Sequence, residues 1–381
     1  MNKAANGSSC SIQERIHLGA IKGDASCTRG PRGKFIVATE RIRIRTKLLG
    51  LSKVVHNAQF QVKTVLTLEP FDYVDLWLRR QHKDEALFYW RQARDFHRAS
   101  IGLPMESAPL VLYYCFMNAA KALLASKGVT FNPHHGVGPH RMRGQNSKVV
   151  LSNEGIAIRP NGIVPALAGY FGEAEPSQTH SLEDVLYNLV FVHRTYCLSY
   201  PNKKERFLPL KNLAFVRDSD TNEVRFTADV VDDADWKFFR KQLPPEVTAA
   251  QGGSATINSI RTIVWASLDK PNEAELEDLR QLNEELRRVL HYINGAHTLW
   301  YLKSTGTYEI DRRPITLTLA AMHRLSEICR YKPSELRSFL DGQKNWLLSE
   351  FVAMAPAQFL DEIACEMTGH QIMIPNVRTP V

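Results

Sequence analysis

The stretch that organises this chain is APLVLYYCFMNAAKALLASKGVTFNPHHGVGPH, residues 108–140. Its first half is apolar on every side for nearly twenty residues and carries only two strongly polar side chains, Asn118 and Lys121. A helix of that kind belongs in a core. Gly128 is the expected stop, because a left-handed residue after the last turn costs glycine nothing. Three histidines, His134, His135 and His140, follow in a Gly/Pro-rich segment. Burying an amide and an amine is costly unless each finds a partner. Chemistry, if the chain performs any, is therefore expected here.

Outward from this point, residues 84–100 form a second helical pattern, with Leu87, Trp90 and Ala93 near one face. Gly102 and Pro104 separate the two, which gives a helical hairpin over 82–128. A mixed middle over 148–265 holds β-like runs at 149–151 and 156–158 between turn signals. It continues with a Ser-capped helix over 181–200, a hairpin of 207–216 with 223–231, a short helix over 233–242 and a strand within 257–265. Residues 272–293 form the clearest amphipathic helix, with a capping-box-like Asn272/Glu275 start and a stripe of Leu276, Leu279, Leu282, Leu286, Val289 and Ile293. Short helices fill the C-terminal region, 272–367 being helical overall. The expected fold is mainly α-helical, with small antiparallel β insertions around a helical-hairpin core. The expected division is a flexible basic tail (1–35), a basic β-like arm (36–69), a globular region (70–370) and a C-terminal tail (371–381).

Charge is unevenly spread. Residues 1–63 hold twelve Lys/Arg against three Asp/Glu, a balance of +9, whereas the chain as a whole carries +8. Its densest part is RIRIRTK, residues 41–47. As a strand it would place Arg41, Arg43, Arg45 and Lys47 on one face. Such a stripe could follow a phosphate backbone, or serve as a solvated edge that resists aggregation.

The six cysteines are scattered, with no CxxC pair, which argues against a thiolate zinc knuckle and suits reduced thiols of a cytoplasmic protein. No apolar run is long enough to suggest a membrane span. There is no Walker A loop, no GxGxxG after a strand, no HExxH and no GxSxG. No metal or cofactor is expected.

Three passages carry a resemblance. These are Gln92-Ala93 with Phe96-His97 leading into residues 109–122 and His135-Gly136; the block through 181–200; and Cys329-Arg-Tyr-Lys-Pro333 with the helices to Gly369. Together they resemble the YaaC-like family of bacterial proteins over roughly residues 70–370. The family has no established activity, so the resemblance implies a bacterial, mostly helical protein and assigns no catalytic residue. The hairpin also resembles the HEPN superfamily of helical nucleases and nucleotide-acting toxins, which use an Arg followed closely by a His. Arg91 and His97 have that spacing, but on a helix they point about 120° apart; Arg94 and His97 share a face.

Candidate residues follow from these patterns. Tyr114, Asn118 and Lys121 lie on one helical face, where Lys121 could hold an anion and Asn118 orient it, or Asn118 could simply pair with a neighbouring helix. His135 could act as a general acid or base. His193-Arg194 and His323-Arg324 read as surface or cap features. The leading functional reading is a non-catalytic or regulatory module that engages nucleic acid, or a partner that handles it, through Arg41, Arg43, Arg45 and Lys47. The alternatives are a metal-independent RNase or toxin using Arg94, His97, Lys121 and His135, and a structural scaffold or homo-oligomer assembled through the 272–293 helix.

Overall fold

The computed structural model describes residues 39–143, 148–175, 177–251, 253–295, 297–342 and 344–375. The basic tail expected over 1–35, with Cys10 and Cys27, lies outside them. β1 (Thr39–Arg41) is followed by a tight ribbon of β2 (Arg43–Ile44) and β3 (Lys47–Leu48). Arg45 sits in the turn with φ 55°, a left-handed conformation that ends a strand. The expected continuous stripe from Arg41 to Lys47 is therefore broken at its third member.

Residues 51–58 then enter the core without joining a sheet. Buried backbone must still be hydrogen-bonded, and here side chains do it. Asn283 accepts from the Ser52 amide at 2.8 Å and donates to the Val54 carbonyl at 2.8 Å. Glu366 accepts from the amides of Val55 (2.7 Å) and His56 (3.1 Å). Lys53 is wholly buried and ion-pairs with Asp361 at 3.1 Å.

After β4 (Val65–Leu66) come α1 (Pro70–Arg80), α2 (Asp84–Ser100) and α3 (Ala108–Ser126). α3 is long and apolar enough to cross a membrane, but most of it is buried inside this protein. Its end is as expected: Gly128 takes φ 68°, and the Gly128 and Val129 amides bond the carbonyls of Ala125 and Leu124. Next come β5 (Val137–Arg141), β6 (Glu154–Ile158), α4 (Ile163–Tyr170) and β7 (Thr179–Ser181), the three strands forming one small antiparallel sheet. Ser181 caps α5 (Leu182–Tyr187) by accepting the Asp184 amide. The helix expected over 181–200 is in fact two, since Asn188 and Leu189 separate α5 from α6 (Val190–Ser199).

β8 (Phe207–Asp218) and β9 (Glu223–Val230) form the expected hairpin. Val224, Phe226, Ala228 and Val230 alternate inward along β9. α7 (Asp233–Phe239), β10 (Val247–Ala249), β11 (Thr256–Ser259), β12 (Ile263–Val264) and α8 (Glu273–Val289) follow. The α8 capping box is complete, Asn272 and Glu275 bonding each other's backbone. Its stripe packs into the chain's own core, so it offers no apolar surface for assembly. The chain then turns extended as β13 (Leu290–Ile293) and β14 (Leu299–Lys303) before α9 (Pro314–Tyr331), α10 (Pro333–Leu340), α11 (Asn345–Thr368) and β15 (Ile372–Met373).

The mainly α-helical expectation is corrected by this arrangement. Among the described residues 45% are helical and 19% strand, and the dominant β element is an eight-stranded antiparallel sheet curled into a half-barrel. The strand order is β10-β11-β9-β8-β14-β13, with β1 added to β8 and β12 to β9. The twelve-residue β8 serves two neighbours, β14 along Phe207–Leu210 and β1 along Val216–Asp218. The sheet is contacted by α6, α7 and α8, while α3 packs on α2, α9 and α11.

Candidate functional site

The first and third resembling passages converge in space. α3 and α9 pack together, and the loop before β5 reaches α9 through His135. His323, Glu327 and Arg330 fall at i, i+4 and i+7 along α9, which places them on one face. The His323 ring meets Tyr113 of α3 edge-on at 4.9 Å and His135 at 4.7 Å. Arg330 donates to the Tyr114 hydroxyl at 3.3 Å and to that of Tyr331 at 3.1 Å.

Main-chain packing fixes His135. The His134 and His135 carbonyls accept the Ile163 and Val164 amides at the start of α4 (2.8 and 3.1 Å). Gly136 has φ 73°, and a Cβ there would lie 2.5 Å from Pro165 Cδ and 2.9 Å from Gly162 Cα. Only glycine allows this approach. The Gly136 carbonyl accepts the Arg159 amide at 2.8 Å, and the Arg159 guanidinium lies over Gly138, where no side chain obstructs it.

Beneath this surface lies a buried hub. Glu154, fully buried on β6, binds both Arg141 and Arg324. Arg141 also pairs with Glu335 at 2.9 Å, Lys332 with Glu335 at 3.4 Å, and Arg324 with Glu327 at 3.0 Å. Among the described residues no ion pair engages Arg159 or Arg330. The group thus sets five cations against three carboxylates, and the unmatched pair is the exposed one. The expectation that His323-Arg324 is a surface or cap feature is corrected: both are buried within α9, at 3% and 2% exposure. Burial pushes the His323 pKa down to about 3, with His135, Arg324, Arg330 and Arg159 acting in the same direction. Desolvation also lowers His135, assisted by Arg159, His134 and Arg330. Both imidazoles are held toward the neutral form.

The other expected residues do not join this group. Asn118 is buried and donates to the Tyr114 carbonyl one turn back, within its own helix. Lys121 lies 5.4 Å from the Tyr89 ring, and burial lowers its pKa. Arg94 is tied to Asp72 at 3.2 Å, and Arg91 to Asp75 at 2.6 Å. His97 packs against the Phe71 ring at 5.6 Å, and burial lowers its pKa. On the β1–β3 segment Arg41, Arg43 and Arg45 are exposed, whereas Lys47 is held by the carbonyls of Phe60 (3.0 Å) and Val62 (2.7 Å). Arg159, His323 and Arg330 were not singled out from sequence as a site.

A recess of about 660 Å³ opens between the loop after β5 and α10, lined by Arg143, Lys148, Glu183, Tyr200, Phe339 and Lys344 among others. It is basic as well, but Lys344 is already engaged with the Ser199 carbonyl at 2.5 Å and the Tyr200 ring. The face around Arg159 and Arg330 brings two guanidinium groups without an ion pair beside His135 and is the stronger candidate.

No curated protein and no solved structure matches the chain. The profile of the YaaC-like protein family matches residues 53–367, from the buried Lys53 to the last turn of α11. The chain belongs to the YaaC-like family.

Proposed function

We propose that this protein is a binding module for single-stranded nucleic acid, and that the face formed by Arg159, Arg330, His135 and Tyr331 holds it. The observation that carries this reading is the pair of unmatched guanidiniums above a hub whose other cations are neutralised. Guanidinium groups with no carboxylate in ion-pair contact are suited to phosphate oxygens. Tyr331 is 67% exposed beside Arg330 and offers a ring on which a base can stack. The exposed Arg41, Arg43 and Arg45 supply further positive charge on another element. A binding role is favoured over RNA cleavage because Arg94 and His97 are each engaged away from His135. In addition, His135 and His323 are held toward the neutral form, which is poor for a general acid at neutral pH.

The test is fluorescence anisotropy with a labelled single-stranded oligonucleotide. Arg159→Ala/Arg330→Ala is expected to weaken binding at least tenfold with an unchanged circular-dichroism spectrum. Tyr331→Ala is expected to cost about 1–3 kcal/mol, the usual contribution of one stacked base. Arg337→Ala, which removes an exposed pair with Asp341, serves as the control and should change little. Equal affinity for the wild type and the double variant would remove the proposed face.

A further inference from the structure

Away from this face, three donor groups of different chemistry converge beside β8. His193 and Cys197 are one turn apart on α6, and Glu205 follows in the loop leading to β8. Their ligand atoms all lie within 4.8 Å of one another. His193 Nε2 is 3.4 Å from Cys197 Sγ and 3.3 Å from Glu205 Oε2.

The hydrogen bonds define the state of the imidazole. The Arg206 amide donates to Nε2 at 2.9 Å, so Nε2 presents a lone pair. Nδ1 then carries the proton and donates to the Tyr187 carbonyl at 3.2 Å. Nε2, a thiol sulfur and a carboxylate oxygen therefore lie together in one small space, with the Nε2 lone pair taken by the Arg206 amide. A cation relieves such a convergence. Donating the other ring N–H to a backbone carbonyl is also how a metal-bound histidine is normally oriented.

We infer that His193, Cys197 and Glu205 form a zinc site. Tetrahedral zinc with bonds of about 2.0–2.3 Å places neighbouring ligand atoms about 3.3–3.8 Å apart. The observed 3.4 and 3.3 Å separations from Nε2 lie within that range, and the sulfur-to-carboxylate separation is within 4.8 Å. A mixed N, S, O set selects zinc over magnesium or calcium. Cys197 and Glu205 are both partly exposed, which leaves a route in and a fourth position for water. Zinc would displace one neutral hydrogen bond, from the Arg206 amide, and gain three ligand bonds. The thiol gives up its proton to solvent when it binds. Binding therefore releases a proton, and affinity rises with pH. Arg194 pairs with Glu205 and orients its carboxylate.

The experiment uses the full chain stripped by a chelator and titrated with cobalt(II), followed by zinc competition. One equivalent of cobalt is expected, with a thiolate-to-cobalt charge-transfer band that zinc abolishes. Cys197→Ser should lose the band, while Cys10→Ser/Cys27→Ser should retain it. Absence of the band from the wild type, or its survival in Cys197→Ser, would overturn the assignment. If Cys197→Ser fails to fold by circular dichroism, Glu205→Gln is read instead. It should weaken cobalt binding at least tenfold, and unchanged binding would equally overturn the site.

Discussion

Asp361→Asn tests how the segment that opens the family region is anchored. The Asp361 carboxylate accepts Lys53 Nζ at 3.2 and 3.1 Å and the Tyr292 hydroxyl at 2.8 Å. The side chains of Lys53 and Asp361 are 0% and 4% exposed. Lys53 also donates to Asn294 Oδ1 (2.9 Å) and the Ile372 carbonyl (3.0 Å), so it joins α11, the residue following β13 and the C-terminal β15. The amide of asparagine leaves the ammonium buried with neutral acceptors only. Removing one partner of a buried pair costs about 3–5 kcal/mol, mostly the penalty of the stranded charge. Domains are stable by only about 5–15 kcal/mol, so the loss should be plain in urea unfolding followed by tryptophan fluorescence. Lys53→Met/Asp361→Leu removes both charges and should recover most of the loss, since apolar replacements of buried pairs are often neutral or better. A loss below about 1 kcal/mol in Asp361→Asn would refute the anchoring argument. A double variant as damaged as the single one would show that shape, rather than charge, holds the segment.

Other predictions concern the His135 loop and the hub. Gly136→Ala forces a Cβ to within 3 Å of Pro165, Asn161 and Gly162 atoms at φ 73°. It should cost at least about 2 kcal/mol by thermal unfolding and weaken oligonucleotide binding as well. His323→Phe should flatten the acid limb of the stability profile. The folded His323 pKa, about 3, is below its unfolded value of about 6.5, so the unfolded state binds the extra proton. Wild-type stability therefore falls as pH drops from about 6.5 toward 3, by up to about 1.4 kcal/mol per pH unit from this one group. The variant should lose that component in urea titrations at stepped pH, and identical profiles would contradict the assignment.

Local signals in the sequence carried through to the structure. The α2 and α3 patterns, the Gly128 stop, the Ser181 cap and the Asn272/Glu275 box all depend on residues within a few positions of each other. The β8–β9 hairpin was legible for the same reason. The extent of the sheet was not. β13 continues the apolar stripe of α8 through Leu290 and Ile293, so a helical period and a strand period agree there until pairing with β14 decides. β1 is three residues long and exists through pairing with the distant β8, β10 is three residues long and pairs with nearby β11, and the strand expected within 257–265 is split into β11 and β12. The site divides in the same way. Tyr114 and His135 stood out in one unusual stretch, but Arg159 and Arg330 are ordinary exposed arginines until the fold places them together. Asn118 and Lys121 stood out for their polarity, and local contacts account for both, a bond within α3 and the Tyr89 ring.

The salt dependence of oligonucleotide binding tests the central claim most directly. Each phosphate contact to a single strand contributes about −0.7 to the slope of log K against log salt. A wild type that binds through both guanidiniums should therefore show a slope steeper by about 1.4 than that of Arg159→Ala/Arg330→Ala. Parallel slopes, or wild-type affinity that does not change with salt, would contradict the account.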